Sequence, residues 1–260
     1  MPRSYEHINY NLRPAKQIER KMLCEAFRRL CAFGSLTSYR YVGFGSIYFR
    51  DFVLLHRDLG IPNMISIEGD PVNEKRFQFN CPFGCIKLRF GHSNEVLPEL
   101  TWDVRTILWL DYDYPLDSRV LTDVSWFCAN AISGSVLVIT VDARVESPAD
   151  ALDDFCQRIG PERIPPGTRS KDLAGWGFAR LCRRVITNHI DEELNRRNGG
   201  RMRGTRYLYR QLFHFHYEDS AKMLTVGGLL YDEGQEPTVQ ACGFAELSFT
   251  SPTSALCSES

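Results

Sequence analysis

The sequence predicts an α/β fold whose sheet has seven strands, mostly parallel, with helices on both faces. Apolar runs without polar alternation, typical of strands buried on both faces, alternate along the chain with helix-compatible stretches. This alternation favours parallel strands joined by right-handed crossovers. Later in the chain, two longer strand patterns flank a short polar turn at residues 218–220, which is typical of an antiparallel hairpin. The combination predicts a Rossmann-like sheet that ends in a C-terminal hairpin.

The predicted elements follow in chain order. Apolar residues recur every three or four positions over residues 14–33, which predicts an amphipathic helix. Five strands are expected at residues 39–44, 64–68, 85–90, 106–111 and 135–142. The helix-compatible stretches between them cover residues 48–59, 73–79, 94–100 and 118–132. Two further helices at 149–159 and 171–196 precede the hairpin strands at 207–217 and 222–231.

The length of 260 residues fits one α/β domain better than two. Residues 1–38 are expected to form an N-terminal helical segment, and residues 39–231 the main domain. The stretch after residue 142 is longer than a single crossover needs, so a helical, arginine-rich insertion is expected at about residues 145–206. Residues 232–260 form the predicted C-terminal tail.

Composition excludes several classes of protein. The hydrophobic fraction of 43% is too high for a disordered chain, and the net charge of -1 identifies no partner by charge alone. The nine cysteines have irregular spacings that fit neither a zinc site nor a disulfide framework, so most are interpreted as buried apolar residues in a reducing compartment. No stretch has the length of a signal-peptide core or a transmembrane helix. We therefore expect a cytoplasmic protein without a membrane partner.

The ends of the first two strands have the residues of a nucleoside site. Gly43 and Gly45, followed by Ser46, would let the backbone pass close to a ligand. Glu68 and Gly69 come roughly twenty residues later, the separation at which an acidic side chain binds ribose hydroxyls. Taken alone, the glycines are more typical of a tight strand-to-helix turn without a ligand.

The remaining strand ends are also polar. His92 and Ser93 follow the third strand, where a polar pair could face an adenine edge, although Ser93 is also a candidate helix N-cap. Asp111 ends the predicted fourth strand, Asp113 follows it, and Asp142 ends the fifth. Because carboxylates are costly at the end of a buried strand unless they are used, these are candidate functional residues.

Three of these segments together resemble class I S-adenosylmethionine-dependent methyltransferases, and within them the O-methyltransferases of the catechol and caffeoyl-CoA type. The segments are residues 66–71, 91–100 and 110–113. The resemblance covers about residues 39–142 and, more loosely, the hairpin. It implies an enzyme with S-adenosylmethionine as cofactor. It also implies cofactor-binding residues, which are Gly43, Gly45, Ser46, Glu68, Gly69, His92, Ser93 and Asp111.

Two departures from the family pattern bear on the chemistry. Tyr41 stands where the family has an acidic residue two positions before its first glycine. Ala143 follows Asp142, where metal-dependent members have asparagine. A magnesium ion would therefore have Asp111 and Asp142 as ligands but lack its usual third ligand.

The acceptor is less defined than the cofactor. Asp111 or Asp113 could remove a proton from an acceptor hydroxyl, since methyl transfer to oxygen needs a base or a metal. Arg13 and Lys16, in the charged stretch before the first strand, could bind an anionic substrate group or the donor carboxylate. A solvated helix face is an equally good interpretation of that stretch.

A second basic segment offers another contact for an anionic acceptor. Nine arginines fall between residues 180 and 210, and the glycine-rich part around Arg201 and Arg203 could form a phosphate-binding lid. Solvent-facing arginines with partners elsewhere are the alternative.

Three functions remain open at this stage. The first is O-methylation of a small-molecule or nucleotide-like acceptor. The second is a nucleic-acid methyltransferase that uses the arginine-rich segment, and the third is a non-catalytic module that keeps the fold. Homo-oligomerisation is compatible with each of them.

Overall fold

The computed structural model describes residues 13–145, 147 and 150–250. One sheet contains the strands β1 Arg40–Gly43, β2 Asn63–Glu68, β3 Ile86–Phe90, β4 Thr106–Pro115, β5 Ser135–Asp142, β6 Tyr207–Glu218 and β7 Lys222–Asp232. Their order is β3-β2-β1-β4-β5-β7-β6. The first five are parallel, and β7 is antiparallel to both β5 and β6. The predicted sheet and its hairpin are confirmed.

Helices cover both faces of the sheet, as predicted. They are α1 Pro14–Arg28, α2 Arg50–Leu59, α3 Glu74–Asn80, α4 Ser93–Glu99, α5 Ser118–Asn130, α6 Ala151–Ile159, α7 Gly177–Arg197 and α8 Glu236–Ala241. Side chains of α1, α2, α3 and α8 pack in the core on one face, and those of α4 to α7 pack in the core on the other. In the part of the chain that the structure describes, no helix is both long and apolar enough to cross a bilayer.

The apolar runs form strands that are buried on both faces. Every residue of β5 is buried, as are the first five residues of β4. Burial of each large apolar side chain contributes about 1.5–3 kcal/mol, which explains why these two strands lie at the centre of the sheet.

Strand order reverses between β1 and β4. In open α/β sheets, ligands bind at the carboxyl ends of the strands beside such a point. Gly43 pairs in register with Trp109, so the loop after β1 lies beside the end of β4. Asp142 pairs with Met223, which brings the β6–β7 turn to the same edge. We call this the carboxyl edge.

Strand β4 runs to Pro115 and not to residue 111, so Asp113 lies within it. Two predicted helices also differ clearly from the observed ones. Helix α1 ends at Arg28 and continues as a 3-10 helix, Arg29–Phe33. Helix α7 begins at Gly177 rather than at residue 171, after a separate 3-10 turn at Ser170–Leu173. A Cβ on Gly177 would collide with the Asp172 carbonyl oxygen, so the close approach of the two backbones requires glycine here.

Candidate functional site

The loop after β1 is tightly built and locally strained. Ser46 and Phe49 have φ angles of 48° and 47°, a left-handed conformation that is uncommon for residues other than glycine. The Phe49 amide donates a 2.8 Å hydrogen bond to the Gly45 carbonyl, which closes the loop. A Cβ on Gly45 would lie 2.6 Å from the Phe49 ring and would also collide with Ser66 Oγ. Packing against protein atoms therefore already requires glycine at position 45.

Gly43 lies under the side chain of Tyr41. A Cβ on Gly43 would be 2.6 Å from the Tyr41 hydroxyl and 2.9 Å from the Trp109 carbonyl oxygen. Tyr41 is buried against Phe52, with the two rings edge to face. Burial raises the pKa of Tyr41, and the nearby carboxylates of Asp51 and Asp111 add to the shift. The residue that replaces the family's acid is thus a neutral phenol at the same edge.

Glu68 fixes the β1 loop to the end of β2. Its Oε1 accepts hydrogen bonds from the Gly45 amide, at 3.1 Å, and from Ser66 Oγ, at 2.6 Å. Burial raises the pKa of Glu68 to about 7, although both hydrogen bonds favour the charged form. Among the described residues, no side chain or amide donates to Oε2, so this oxygen is the one that a ligand hydroxyl could approach.

His92 lies beside Gly69 and precedes α4. Its Nδ1 would be 3.7 Å from a Cβ on Gly69, and its amide donates a 3.0 Å hydrogen bond to Glu95 Oε2. Ser93 is the first helical residue, so His92 and not Ser93 occupies the N-cap position.

The carboxylate of Asp123, on α5, accepts hydrogen bonds from side chains of β4 and α4. It accepts hydrogen bonds from the Tyr112 hydroxyl and the Asn94 amide, and a hydrogen bond from the Ser93 hydroxyl stabilises its charged form. Burial nevertheless raises the pKa of Asp123 to about 6. The Ser93 hydroxyl is therefore already engaged within the protein.

A buried lysine crosses from α1 to the end of β4. Lys16 is fully buried, and its Nζ lies 2.8 Å from Asp111 Oδ1 and 2.7 Å from Glu19 Oε2. Nζ also donates a 3.1 Å hydrogen bond to the Tyr217 hydroxyl and lies 5.0 Å from the centre of the Trp109 ring. Burial opposes the charge on Lys16, but Asp111 and then Glu19 outweigh it and raise the pKa of the lysine.

Glu19 continues this network away from solvent. It is 2% exposed, and its Oε1 accepts a hydrogen bond from Thr225 on β7. Thr225 in turn lies 2.8 Å from the Thr140 hydroxyl on β5. Burial raises the pKa of Glu19. The side chain of Asp111, by contrast, is 25% exposed. Of the two carboxyl groups beside Lys16, it is therefore the one that a ligand can reach.

Helix α1 is held in place by carboxylates from two other elements. Asp219, in the β6–β7 turn, accepts hydrogen bonds from the Ala15 and Lys16 amides at 3.1 and 3.2 Å. Arg13 Nε lies 3.9 Å from the same carboxylate. Arg20 pairs with Asp51 on α2. Arg13 and Lys16, expected to bind an anionic substrate group, are therefore neutralised by the protein's own carboxylates.

The other predicted carboxylates have different environments. Asp113 is exposed to solvent. Asp142 is 3% exposed and accepts hydrogen bonds from the Arg144 amide and from Arg144 Nε, both at 2.8 Å.

This arrangement gives no support for a magnesium site. Asp111 and Asp142, the two expected ligands, are paired with Lys16 and Arg144. Within residues 13–145, 147 and 150–250, no three histidine, cysteine or carboxylate side chains are grouped so that they could hold a metal ion.

Arg201 and Arg203 lie at the opposite edge of the sheet, so the expected lid over the site is not formed by them. The strand that follows them begins at Tyr207, which pairs with Asp232 at the far end of β7. The twelve-residue strand β6 separates this point from the β6–β7 turn by roughly 35 Å. Arg201 stacks on the Tyr207 ring at 5.1 Å, and both arginines are exposed.

Sequence reasoning missed Glu19, Tyr217 and Asp219. The sequence does hold a signal for Glu19, because its spacing from Lys16 and Leu23 puts all three residues on one face of α1. All three are buried in the structure. The apolar pattern that predicts this helix includes Ile18 and omits Lys16 and Glu19, but the structure leaves Ile18 60% exposed. Tyr217 and Asp219 had no local signal, since their partners are about two hundred residues away.

Comparisons with known proteins agree with this architecture. A family model described as "Putative O-methyltransferase" matches residues 8–258. A search of curated protein sequences gave no match. Among solved structures, Trm1 from Pyrococcus horikoshii in complex with S-adenosyl-L-methionine is similar, with a TM-score of 0.53 and 10% identity over 93% of this chain. The chain spans 61% of the Trm1 chain.

Two solved O-methyltransferases have lower scores. TomG from Streptomyces achromogenes, in complex with S-adenosylmethionine, has a TM-score of 0.44 and 14% identity over 81% of this chain and 79% of that chain. The O-methyltransferase from Bacillus cereus, in complex with S-adenosylhomocysteine, has a TM-score of 0.43 and 9% identity over 87% of this chain and 86% of that chain. At 10% identity, the likeness to Trm1 concerns the fold alone.

Proposed function

The chain belongs to the "Putative O-methyltransferase" family, whose model matches residues 8–258, and from this premise we propose that it transfers a methyl group from S-adenosylmethionine to an oxygen of a small acceptor. Family membership confirms the resemblance drawn from the strand-end motifs. The activity, the cofactor and the class of acceptor are inferences from the site.

One observation supports this function above the others. The strained loop after β1 and the reachable carboxylate of Asp111 flank the point where strand order reverses. In open α/β sheets this is where ligands bind. Strained backbone that is held by neighbouring side chains is characteristic of binding loops.

The residues around this point fit the cofactor. The loop at residues 43–46 would face the methionine part, Glu68 Oε2 would accept hydrogen bonds from the ribose hydroxyls, and His92 with Gly69 would lie at the adenine. A charged Glu68 accepts these bonds best, and its pKa of about 7 lets it ionise near neutral pH. The bound sulfonium supplies an already activated methyl group, so the protein mainly has to align the two reactants.

Asp111 is the group best placed to act on the acceptor. Lys16 holds its Oδ1 at 2.8 Å, which leaves Oδ2 to accept a proton from an acceptor hydroxyl. The ammonium of Lys16 would stabilise negative charge that develops on the acceptor oxygen. Its own pKa is raised, so Lys16 is not the base.

Calorimetry with S-adenosylmethionine and S-adenosylhomocysteine tests the cofactor. We expect both to bind with micromolar affinity, and we expect Glu68→Ala to weaken binding at least tenfold. The reference variant is Glu74→Ala, at an exposed position of α3. If neither compound binds to folded wild-type protein, the proposed function is wrong.

Arg201 and Arg203 lie at the opposite edge, so these two arginines do not support the nucleic-acid alternative. Binding to RNA or DNA at low salt is the test of that alternative. Methyl transfer from radiolabelled cofactor separates the O-methyltransferase from the non-catalytic module. A non-catalytic module would bind the cofactor without labelling any catechol, phenol or hydroxy acid offered at pH 7.5.

A further inference from the structure

The hydroxyl of Tyr217, near the end of β6, lies on the same face of the sheet as the carboxyl group of Asp111. Both groups contact the ammonium of Lys16, whose Nζ is 3.1 Å from the Tyr217 hydroxyl oxygen and 2.8 Å from Asp111 Oδ1. Two oxygens that contact one nitrogen in this way are at most about 6 Å apart. The distance therefore allows one ligand oxygen to lie within hydrogen-bond distance of Asp111 and of Tyr217 at once.

The two residues also reach the surface of the protein. The side chain of Asp111 is 25% exposed and Tyr217 is partly exposed, whereas Lys16 between them is fully buried. The Trp109 and Tyr217 rings lie 5.0 and 5.6 Å from Lys16 Nζ and help to enclose it. A ligand at this place would meet the two oxygens before the ammonium.

Tyr217 and Asp111 have complementary hydrogen-bonding functions. The Tyr217 oxygen accepts the hydrogen bond from Lys16, so its own hydrogen is directed away from the ammonium. Burial raises the pKa of Tyr217, although the Lys16 ammonium lowers it, and the phenol therefore keeps its proton near neutral pH. Asp111 contributes an acceptor, because the oxygen that contacts Lys16 is Oδ1 and not Oδ2. The pair thus combines one donor with one acceptor.

A hydroxyl group satisfies both partners with a single atom. Its hydrogen can be donated to Asp111 Oδ2, and one of the two lone pairs of its oxygen can accept the hydrogen of Tyr217. The second lone pair is then left to attack a methyl carbon. An amine nitrogen has only one lone pair, so a hydrogen bond from Tyr217 would occupy the pair that has to attack.

We propose that Tyr217 selects oxygen over nitrogen, by donating a hydrogen bond to the acceptor hydroxyl whose proton Asp111 takes. This inference rests on the proposed function and specifies how its acceptor is recognised. In the transfer, a lone pair of the acceptor oxygen forms the C–O bond while the C–S bond of the sulfonium breaks and its electron pair stays on sulfur. The acceptor proton ends on Asp111 Oδ2.

Binding of 4-nitrophenol and 4-nitroaniline tests the proposal. Both are followed by absorbance in the presence of S-adenosylhomocysteine, at pH 6, where the phenol is mainly protonated. The two probes have nearly the same shape, and both have a hydrogen to donate to Asp111. Only the phenol oxygen accepts well, because the nitro group draws the lone pair of the aniline nitrogen into the ring. Wild-type protein should bind 4-nitrophenol roughly tenfold more tightly, the order of magnitude for one hydrogen bond.

Tyr217→Phe removes the hydroxyl and keeps the ring, so the variant should fold and bring the affinity ratio of the two probes close to one. Tyr207→Phe makes the same change at the other end of β6, at the opposite edge, and should leave the ratio unchanged. A merely structural role of Tyr217 would weaken the binding of both probes equally. Equal affinities or no binding in wild type, or a preference that survives in Tyr217→Phe, would overturn the proposal.

Failure of the proposed function gives a different result. If S-adenosylhomocysteine does not bind, methyl transfer is excluded, whereas the affinity ratio measured without it still tests whether Tyr217 binds a hydroxyl. If transfer to a hydroxyl compound is observed and the ratio does not depend on Tyr217, the proposed function stands and the role of Tyr217 is wrong.

Discussion

Lys16 Nζ lies 2.8 Å from Asp111 Oδ1, across 95 positions of sequence, and this buried ion pair joins α1 to the end of β4. Glu19 lies against the same ammonium, so one lysine is paired with two carboxyl groups. Removal of the lysine would leave the carboxyl groups of Glu19 and Asp111 without this counterion in an environment with little water.

Lys16→Met should therefore destabilise the protein by about 3–5 kcal/mol, the cost of an uncompensated buried charge. Urea unfolding at pH 7.5 measures this change. Lys21→Met, at an exposed position of the same helix, should change stability by less than about 0.5 kcal/mol. Adding Glu19→Gln to Lys16→Met should restore part of the loss. Equal stabilities for the two lysine variants would contradict the buried pair.

Asp111→Asn should reduce methyl transfer by about 100-fold or more, because an amide cannot accept the acceptor's proton. Binding of S-adenosylhomocysteine should be nearly unchanged. Labelled-methyl transfer and calorimetry on the same protein separate these effects. Asp103→Asn, an exposed position before β4 at the opposite edge, is the matched control. Full activity in Asp111→Asn would exclude Asp111 as the base.

Glu68 should make stability depend on pH in a defined direction. Burial raises its pKa from 4.5 to about 7 in the folded chain, so the folded state holds the proton more tightly. Its contribution to stability is present below pH 4.5 and is lost as the pH rises through 7. As the pH rises from 5 to 8, the free energy of unfolding of Glu68→Gln should therefore increase by up to about 3 kcal/mol relative to that of the wild type.

Urea unfolding at several pH values checks this difference, with the exposed Glu74→Gln as reference. A difference between Glu68→Gln and wild type that stays constant over this pH range would show that Glu68 ionises normally.

Gly45→Ala should destabilise the β1 loop by about 1–3 kcal/mol, since its Cβ would overlap Phe49 and Ser66. Affinity for S-adenosylhomocysteine should fall as the loop shifts. Thermal unfolding and calorimetry are the measurements. Gly84→Ala, whose Cβ would have open space within 4 Å, should change neither quantity appreciably. Tolerance of both substitutions would mean that the loop can relax without cost.

Asp219→Ala should loosen α1, because its carboxylate caps the Ala15 and Lys16 amides. The loss of such a cap costs about 1 kcal/mol. Hydrogen exchange of the α1 amides should accelerate, whereas Asp153→Ala, at an exposed position of α6, should leave it unchanged. Unaltered exchange in Asp219→Ala would show that the β6–β7 turn does not hold the helix.

The sheet, its hairpin and the edge of the candidate site can all be predicted from the amino-acid sequence. These follow from local regularities, since buried parallel strands need continuous apolar runs and their ends carry the polar residues. Gly45, Glu68, His92 and Asp111 are predicted as candidate site residues in this way. The direction of Asp111 also follows from strand alternation once the face that carries α1 is known.

Which charged side chains meet depends on how the helices pack on the sheet. Lys16 and Asp111 share no local pattern, and their pairing depends on α1 packing over the end of β4. The arginine-rich composition around Arg201 predicts a contact with the site, but the structure places Arg201 a strand length away from it. The partner of a charged side chain is set by packing between distant parts of the chain. The sequence alone therefore cannot tell a basic residue at the carboxyl edge from one at the opposite edge.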